Sequence, residues 1–143
     1  MEKDKKIPVS LTITGKHEQD GITDSVEDVY NGFLSKRGSS TYIIYEDTEN
    51  KLDNRIKVTD GRLEIKRTPK EDKAPFSVLT YSHKEAVSGY YSTPYGNIEI
   101  ETFTESFEIK ETESVFFCRL CGDINMNGSP VSRFTLEIEA AVS

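Results

Sequence analysis

The sequence predicts an all-β protein: a single antiparallel, calycin- or lipocalin-like β-barrel of about ten short strands spanning residues 1–143. Three observations carry this reading. β-Branched and aromatic residues recur in short runs, several with period-two alternation. The runs are punctuated by turn pairs such as Asp60-Gly61 and Asn127-Gly128. No stretch shows the apolar spacing of an amphipathic helix. A closed or nearly closed barrel is the natural arrangement, because closure removes sheet edges. A two-sheet sandwich is the alternative.

In chain order, Ile7, Val9, Leu11 and Ile13 alternate with Pro8, Ser10 and Thr12, the pattern of a half-buried strand. Lys16 to Gly21 reads as a polar loop. From Asp24 to Lys36 apolar residues fall on both parities, Val26, Tyr30 and Leu34 against Val29 and Phe33. A bulge near Asn31-Gly32 is expected there to switch the facing. After a turn at Arg37-Gly38-Ser39-Ser40, Thr41 to Tyr45 forms a strand apolar on both faces. A type I′ turn at Asp60-Gly61 sets Val58 opposite Leu63, Ile56 opposite Ile65 and Lys57 opposite Glu64. Thr68 to Ala74 is a charged loop, and Phe76 to Tyr81 and Ala86 to Ser92 are strands.

Two hairpins require register arithmetic. For the last, a two-residue Asn127-Gly128 loop places Leu120 opposite Thr135 and Gly122 opposite Arg133. A three-residue loop ending at Ser129 instead pairs Leu120 with Leu136, Cys118 with Ile138 and Phe116 with Ala140. It also brings Arg119 to Glu137 and Asp123 to Arg133, and lays Phe134 over Gly122, so this register is preferred. For Tyr90 to Ile100, a three-residue Pro94-Tyr95-Gly96 loop puts Tyr90 and Ser92 on the face of Ile100 and Ile98. A two-residue loop brings Tyr91 inward instead. The three-residue loop is preferred.

At 143 residues the chain fits one domain, and a chain of this size buries roughly two-thirds of its unfolded surface without metal or disulfide help. The net charge of −7 disfavours nonspecific binding to nucleic acid or to an anionic membrane. No apolar run is long enough for a signal peptide or a membrane span, so a cytoplasmic protein with reduced cysteines is expected.

Tyr42-Ile43-Ile44-Tyr45-Glu46, the Ile56 to Ile65 hairpin, Tyr91-Ser92-Thr93-Pro94-Tyr95-Gly96 with Ile98-Glu99-Ile100, and Ser132-Arg133 form a pattern over nearly the whole chain. That pattern resembles the YwiB-like family of small bacterial proteins, a family of unknown function grouped with calycin-like barrels. Phe134 follows Ser132-Arg133 where the family is expected to carry asparagine. The resemblance implies a lipocalin-like barrel and implies no activity.

The chemistry is sparse. Cys118-Arg119-Leu120-Cys121 has half the ligands of a zinc site, but strand parity points the two thiols to opposite faces, so structural cysteines are expected and no metal. His17 and His83 belong to no nucleophile, acid or oxyanion arrangement, so no catalytic residue and no cofactor are assigned. Glu99 and Glu101 alternate with Ile98 and Ile100 as a solvated outer face. The tyrosines give the one positive hint, since a ring bearing a hydroxyl suits a small amphipathic ligand in a barrel lumen. Candidate contacts are Tyr45, Tyr81, Tyr91 and Tyr95, with Arg133 as a charged handle. Side chains filling the core are the competing account of the same tyrosines. The expected function is non-catalytic binding of a small apolar or amphipathic ligand. A homodimeric interaction module with a filled barrel is the alternative.

Overall fold

Ten strands follow one another around a closed antiparallel barrel: β1 (Ile7–Gln19), β2 (Ile22–Arg37), β3 (Ser40–Asp47), β4 (Leu52–Thr59), β5 (Arg62–Pro69), β6 (Ser77–Ser82), β7 (Ala86–Thr93), β8 (Gly96–Glu111), β9 (Val115–Met126) and β10 (Ser129–Val142). Each strand pairs with its sequence neighbours, and β10 returns to β1 to close the ring. This is a computed structural model, and it describes residues 6–71, 77–93 and 95–143. Phe76, Pro94 and residues 72–74 of the expected Thr68 to Ala74 loop lie outside the described residues, and Thr68 and Pro69 of that loop belong instead to β5.

The interior is filled through its middle. Alternate residues of most strands point inward, giving a core that includes Val9, Leu11, Ile43, Ile56, Leu63, Phe116, Leu120 and Ile138. Tyr81 on β6 meets Phe134 on β10 across the lumen, ring centroids 5.2 Å apart. On β8 the inward face changes at a bulge between Thr104 and Ser106: Ile100, Thr102 and Thr104 face in before it, and Phe107 packs on the core after it.

The β4–β5 register is as predicted, with Val58 opposite Leu63 and Ile56 opposite Ile65. Its turn is not type I′, which needs positive φ at both central residues. Only Gly61 has one, at 73°. Lys57 stands opposite Glu64, yet Glu64 takes its ion pair from Arg55 at 3.2 Å, while the Lys57 ammonium lies over the Tyr42 ring. An aromatic face directly across the strand competes successfully with the carboxylate.

The β9–β10 pairs are also as predicted: Leu120 with Leu136, Cys118 with Ile138, Gly122 with Phe134. Arg119 bonds Glu137 at 3.1 Å and Arg133 bonds Asp123 at 2.9 Å. The device that sets this register differs from the expected three-residue loop. Asn127 and Gly128 both have positive φ, 49° and 82°, and make a two-residue turn closed by Met126 and Ser129. A bulge between Pro130 and Ser132 then supplies the one-residue shift.

Three other expectations are corrected. Lys16 to Gln19 is strand, not loop: β1 runs to Gln19 and turns tightly at Asp20 and Gly21, φ 53° and 78°. β2 has no bulge at Asn31-Gly32; its pairing is continuous, and Val29 and Phe33 remain on the outer face, 62% and 46% exposed. Gly32 is there for close approach, since a Cβ would lie 2.7 Å from the Ile44 carbonyl oxygen. Finally, β7 and β8 adopt the two-residue register, with Thr93 opposite Gly96 and Tyr91 opposite Ile98. This puts Gly89 where β7 crosses β6 so tightly that a Cβ would sit 2.3 Å from the Val78 carbonyl oxygen.

Candidate functional site

The turns after β1, β3 and β9 lie at one end of the barrel, together with the C-terminal ends of β5 and β7. At this end the inward side chains change from apolar to polar. Cross-strand pairing links Tyr45 to Asn54, Asn54 to Arg67, Arg67 to Ser77 and Ser77 to Tyr91. Five neighbouring strands thus each contribute one inward polar residue to a single row, one step beyond Ile43, Ile56 and Ile65 of the packed core.

Above this row is a cavity of about 360 Å³ lined by Tyr30, Tyr45, Asn54, Arg67 and Tyr91, with Asp28 and Asp47 among the other contributors. The Tyr30 and Tyr45 rings lie 4.6 Å apart, tilted by 41°. Arg67 lies beside the Tyr45 hydroxyl, and among the described residues it forms no ion pair. Asn54 is only 5% exposed and its Oδ1 has no hydrogen-bond partner; Ser77, 1% exposed, has an unpartnered Oγ. Buried polar atoms usually find partners, so the orphaned Asn54 Oδ1, at the cavity wall, is open to a donor from within the cavity.

The electrostatics follow from this geometry. Burial pushes the Tyr45 hydroxyl up to about 12 against a smaller lowering by Arg67. The Tyr30 hydroxyl is raised by burial first and then by the Asp28 and Asp47 carboxylates, with Arg67 opposing. Asp47 and Arg67 therefore act on both rings, and Asp28 on Tyr30. Asp47 is held in place by Asn50, whose backbone N–H and side-chain amide donate to its two oxygens at 3.2 and 2.9 Å.

Of the residues singled out from sequence, Tyr45 and Tyr91 line this cavity. Tyr81 is buried in the core, its hydroxyl pushed up to about 12 by burial. Tyr95 is 99% exposed on the turn between β7 and β8, away from the lumen. Arg133 sits on the outer wall, where Asp123 and Glu105 bond it at 2.9 and 2.7 Å, because β10 turns Phe134 and Leu136 inward and its odd-numbered residues outward. The cation within the barrel mouth is Arg67, which sequence reasoning missed along with Asn54. Both were within reach of it: one more pair on the β4–β5 hairpin beyond Arg55 and Lys66 sets them inward, facing each other.

The two cysteines are free and point to opposite faces. Cys118 is fully buried, its thiol pushed up to about 12 by burial, and Cys121 contacts the Thr135 hydroxyl at 3.7 Å. Among the described residues no group of three or more His, Cys, Asp or Glu side chains is placed to hold a metal ion. A larger cavity, about 630 Å³, is lined by Phe33, Ile44, Arg55 and Lys66 among others and shares Tyr45 and Asn54 with the first.

Residues 11–138 match the family model described as a domain of unknown function, DUF1934. The chain belongs to this family. Its structure is similar to the crystal structure of the YwiB protein from Bacillus subtilis, with a TM-score of 0.78 at 18% identity, covering 96% of this chain and 93% of that one. At that identity the likeness establishes a shared fold. No curated protein matches the chain. The family resemblance read from the tyrosine-rich segments is thus correct, and the family carries no assigned activity.

Proposed function

We propose that this DUF1934 member is a non-catalytic binding protein for a small amphipathic molecule, seated in the polar mouth of its barrel. The observation that carries this is the set Tyr45, Asn54, Arg67 and Tyr91 of the inward row, which lines a cavity of about 360 Å³ and leaves Asn54 Oδ1 without a partner there. Aromatic walls and a few convergent polar groups are the composition of small-molecule sites. Catalysis fits the same groups poorly. Burial raises the Tyr45 hydroxyl far above neutrality, where it is a poor acid or base. The outer wall, with Arg55, Lys66, Glu101, Arg119 and Glu137, suits water and not lipid. Together with the free thiols, it fits a cytoplasmic setting. A screen of small molecules by amide chemical-shift mapping tests the reading. Binders are expected to move Asn54, Arg67 and Tyr91 together, and shifts that avoid this row would refute it.

A second reading, a homodimeric interaction module, is favoured by the apolar strip on the outer face of β2 and β3. Val29, Phe33 and Ile44 are exposed there beside the 630 Å³ cavity. Light scattering of the protein and of Phe33→Glu decides it: a dimer dissolved by the substitution supports this reading, and a wild-type monomer removes it.

A further inference from the structure

The lining of the mouth narrows the ligand's chemistry, granted the binding role proposed above. Asn54 Oδ1 is an acceptor that lacks a donor, buried at the level of Tyr45 and Arg67. Asp28 and Asp47 add two carboxylates to the same cavity, and the faces of Tyr30, Tyr45 and Tyr91 add three rings. All of these suit a protonated amine, which donates hydrogen bonds and is attracted to aromatic faces. Arg67 offers the opposite. It is a fork of five donors beside the Tyr45 hydroxyl, and no carboxylate among the described residues pairs with it. A simple anion would meet the two aspartates, and a simple cation would meet the guanidinium. A molecule with both charges a few bonds apart satisfies both sides at once.

We infer that the barrel mouth recognises a small zwitterion of the amino-acid type, its carboxylate held by Arg67 and its ammonium by Asn54 Oδ1 with Asp28 and Asp47. A volume of about 360 Å³ accommodates a ligand of this class that carries an apolar side chain, which the three tyrosine rings would flank. The carboxylate-to-guanidinium contact is a charge-assisted pair, the kind for which Arg is preferred over Lys when a planar fork is needed.

The test uses three probes of nearly equal size: L-phenylalanine, 3-phenylpropionate, which lacks the ammonium, and phenethylamine, which lacks the carboxylate. Titration by calorimetry and amide chemical shifts is expected to give phenylalanine roughly tenfold or more tighter binding than either truncated probe, the effect of one lost charge-assisted contact. Arg67→Met is expected to abolish the advantage over phenethylamine, whose own binding should hold or tighten once the guanidinium is gone, and Arg67→Lys to restore part of it. Asp47→Asn is expected to reduce the advantage over 3-phenylpropionate. Thermal melting of each variant reports whether it folds. A truncated probe that binds as tightly as phenylalanine while still shifting Asn54 and Tyr91 overturns the zwitterion and leaves the mouth as a binding site. Shifts elsewhere, or none from any probe at millimolar concentration, overturn both.

Discussion

Thr102 and Thr104 are two residues apart on β8, both face the interior, and both are buried. Their hydroxyls have opposite fates. Thr102 Oγ1 donates to the Thr80 carbonyl at 2.6 Å, bridging a place where the ladder between β6 and β7 has already ended at Val78 and Tyr90. Thr104 Oγ1 has no partner. Replacing each with valine keeps shape and removes only the hydroxyl's hydrogen bonding, so the two substitutions should differ in sign. Thr102→Val strands a buried carbonyl and should cost about 1–3 kcal/mol; Thr104→Val removes an unsatisfied group and should be neutral or stabilise by about 1 kcal/mol. In urea unfolding followed by circular dichroism, a slope of about 2 kcal/mol per molar turns these values into a midpoint lowered by about 1 M for the first, and unchanged or raised for the second. Equal losses for the two variants would refute the assignment of these hydrogen bonds, and with it the reasoning that singles out Asn54 and Ser77.

Three further outcomes follow from the same geometry. Gly122→Ala places a Cβ 1.9 Å from the Phe103 carbonyl oxygen, while Gly15→Ala meets nothing within 4 Å; the first should destabilise by about 3 kcal/mol or more, and the second should be neutral or slightly stabilising by thermal melting. Tyr45 and Tyr81 are raised from 10.0 to about 12, so the stability tied to their neutral forms is fully present below about pH 10. It should be lost at about 1.4 kcal/mol per pH unit per group as pH rises toward 12, a slope that Tyr81→Phe would lessen. Cys118 is inaccessible and its thiol is raised to about 12, so a disulfide reagent at neutral pH should modify Cys121 alone in the native protein and both thiols in denaturant.

What the sequence made legible was apolar alternation, and what it concealed was largely polar. The inward residues of β4, β5, β9 and β10 alternate cleanly through Ile56, Leu63, Leu120 and Ile138, and those registers could be read pair by pair. Even so, the β9–β10 shift reads as a longer loop although a bulge after Pro130 makes it, because both devices displace one residue and leave the same pairs downstream. The far end of the β1–β2 hairpin reads as a loop because Lys16 to Gln19 are exposed and carry no apolar alternation. The mouth was missed for a related reason. Its members begin where the apolar pattern stops, so Arg67 and Asn54 read as the frayed end of a hairpin and not as its inward continuation. Tyr91 turned on a one-residue choice of loop length, settled by the close crossing at Gly89.

Native mass spectrometry of the protein isolated from its own cells tests the central claim most directly, with Arg67→Met prepared alongside. The account predicts a bound small molecule of amino-acid size on the wild-type chain and bare protein for the variant. Bare wild-type protein, or an adduct that the substitution leaves in place, would contradict it.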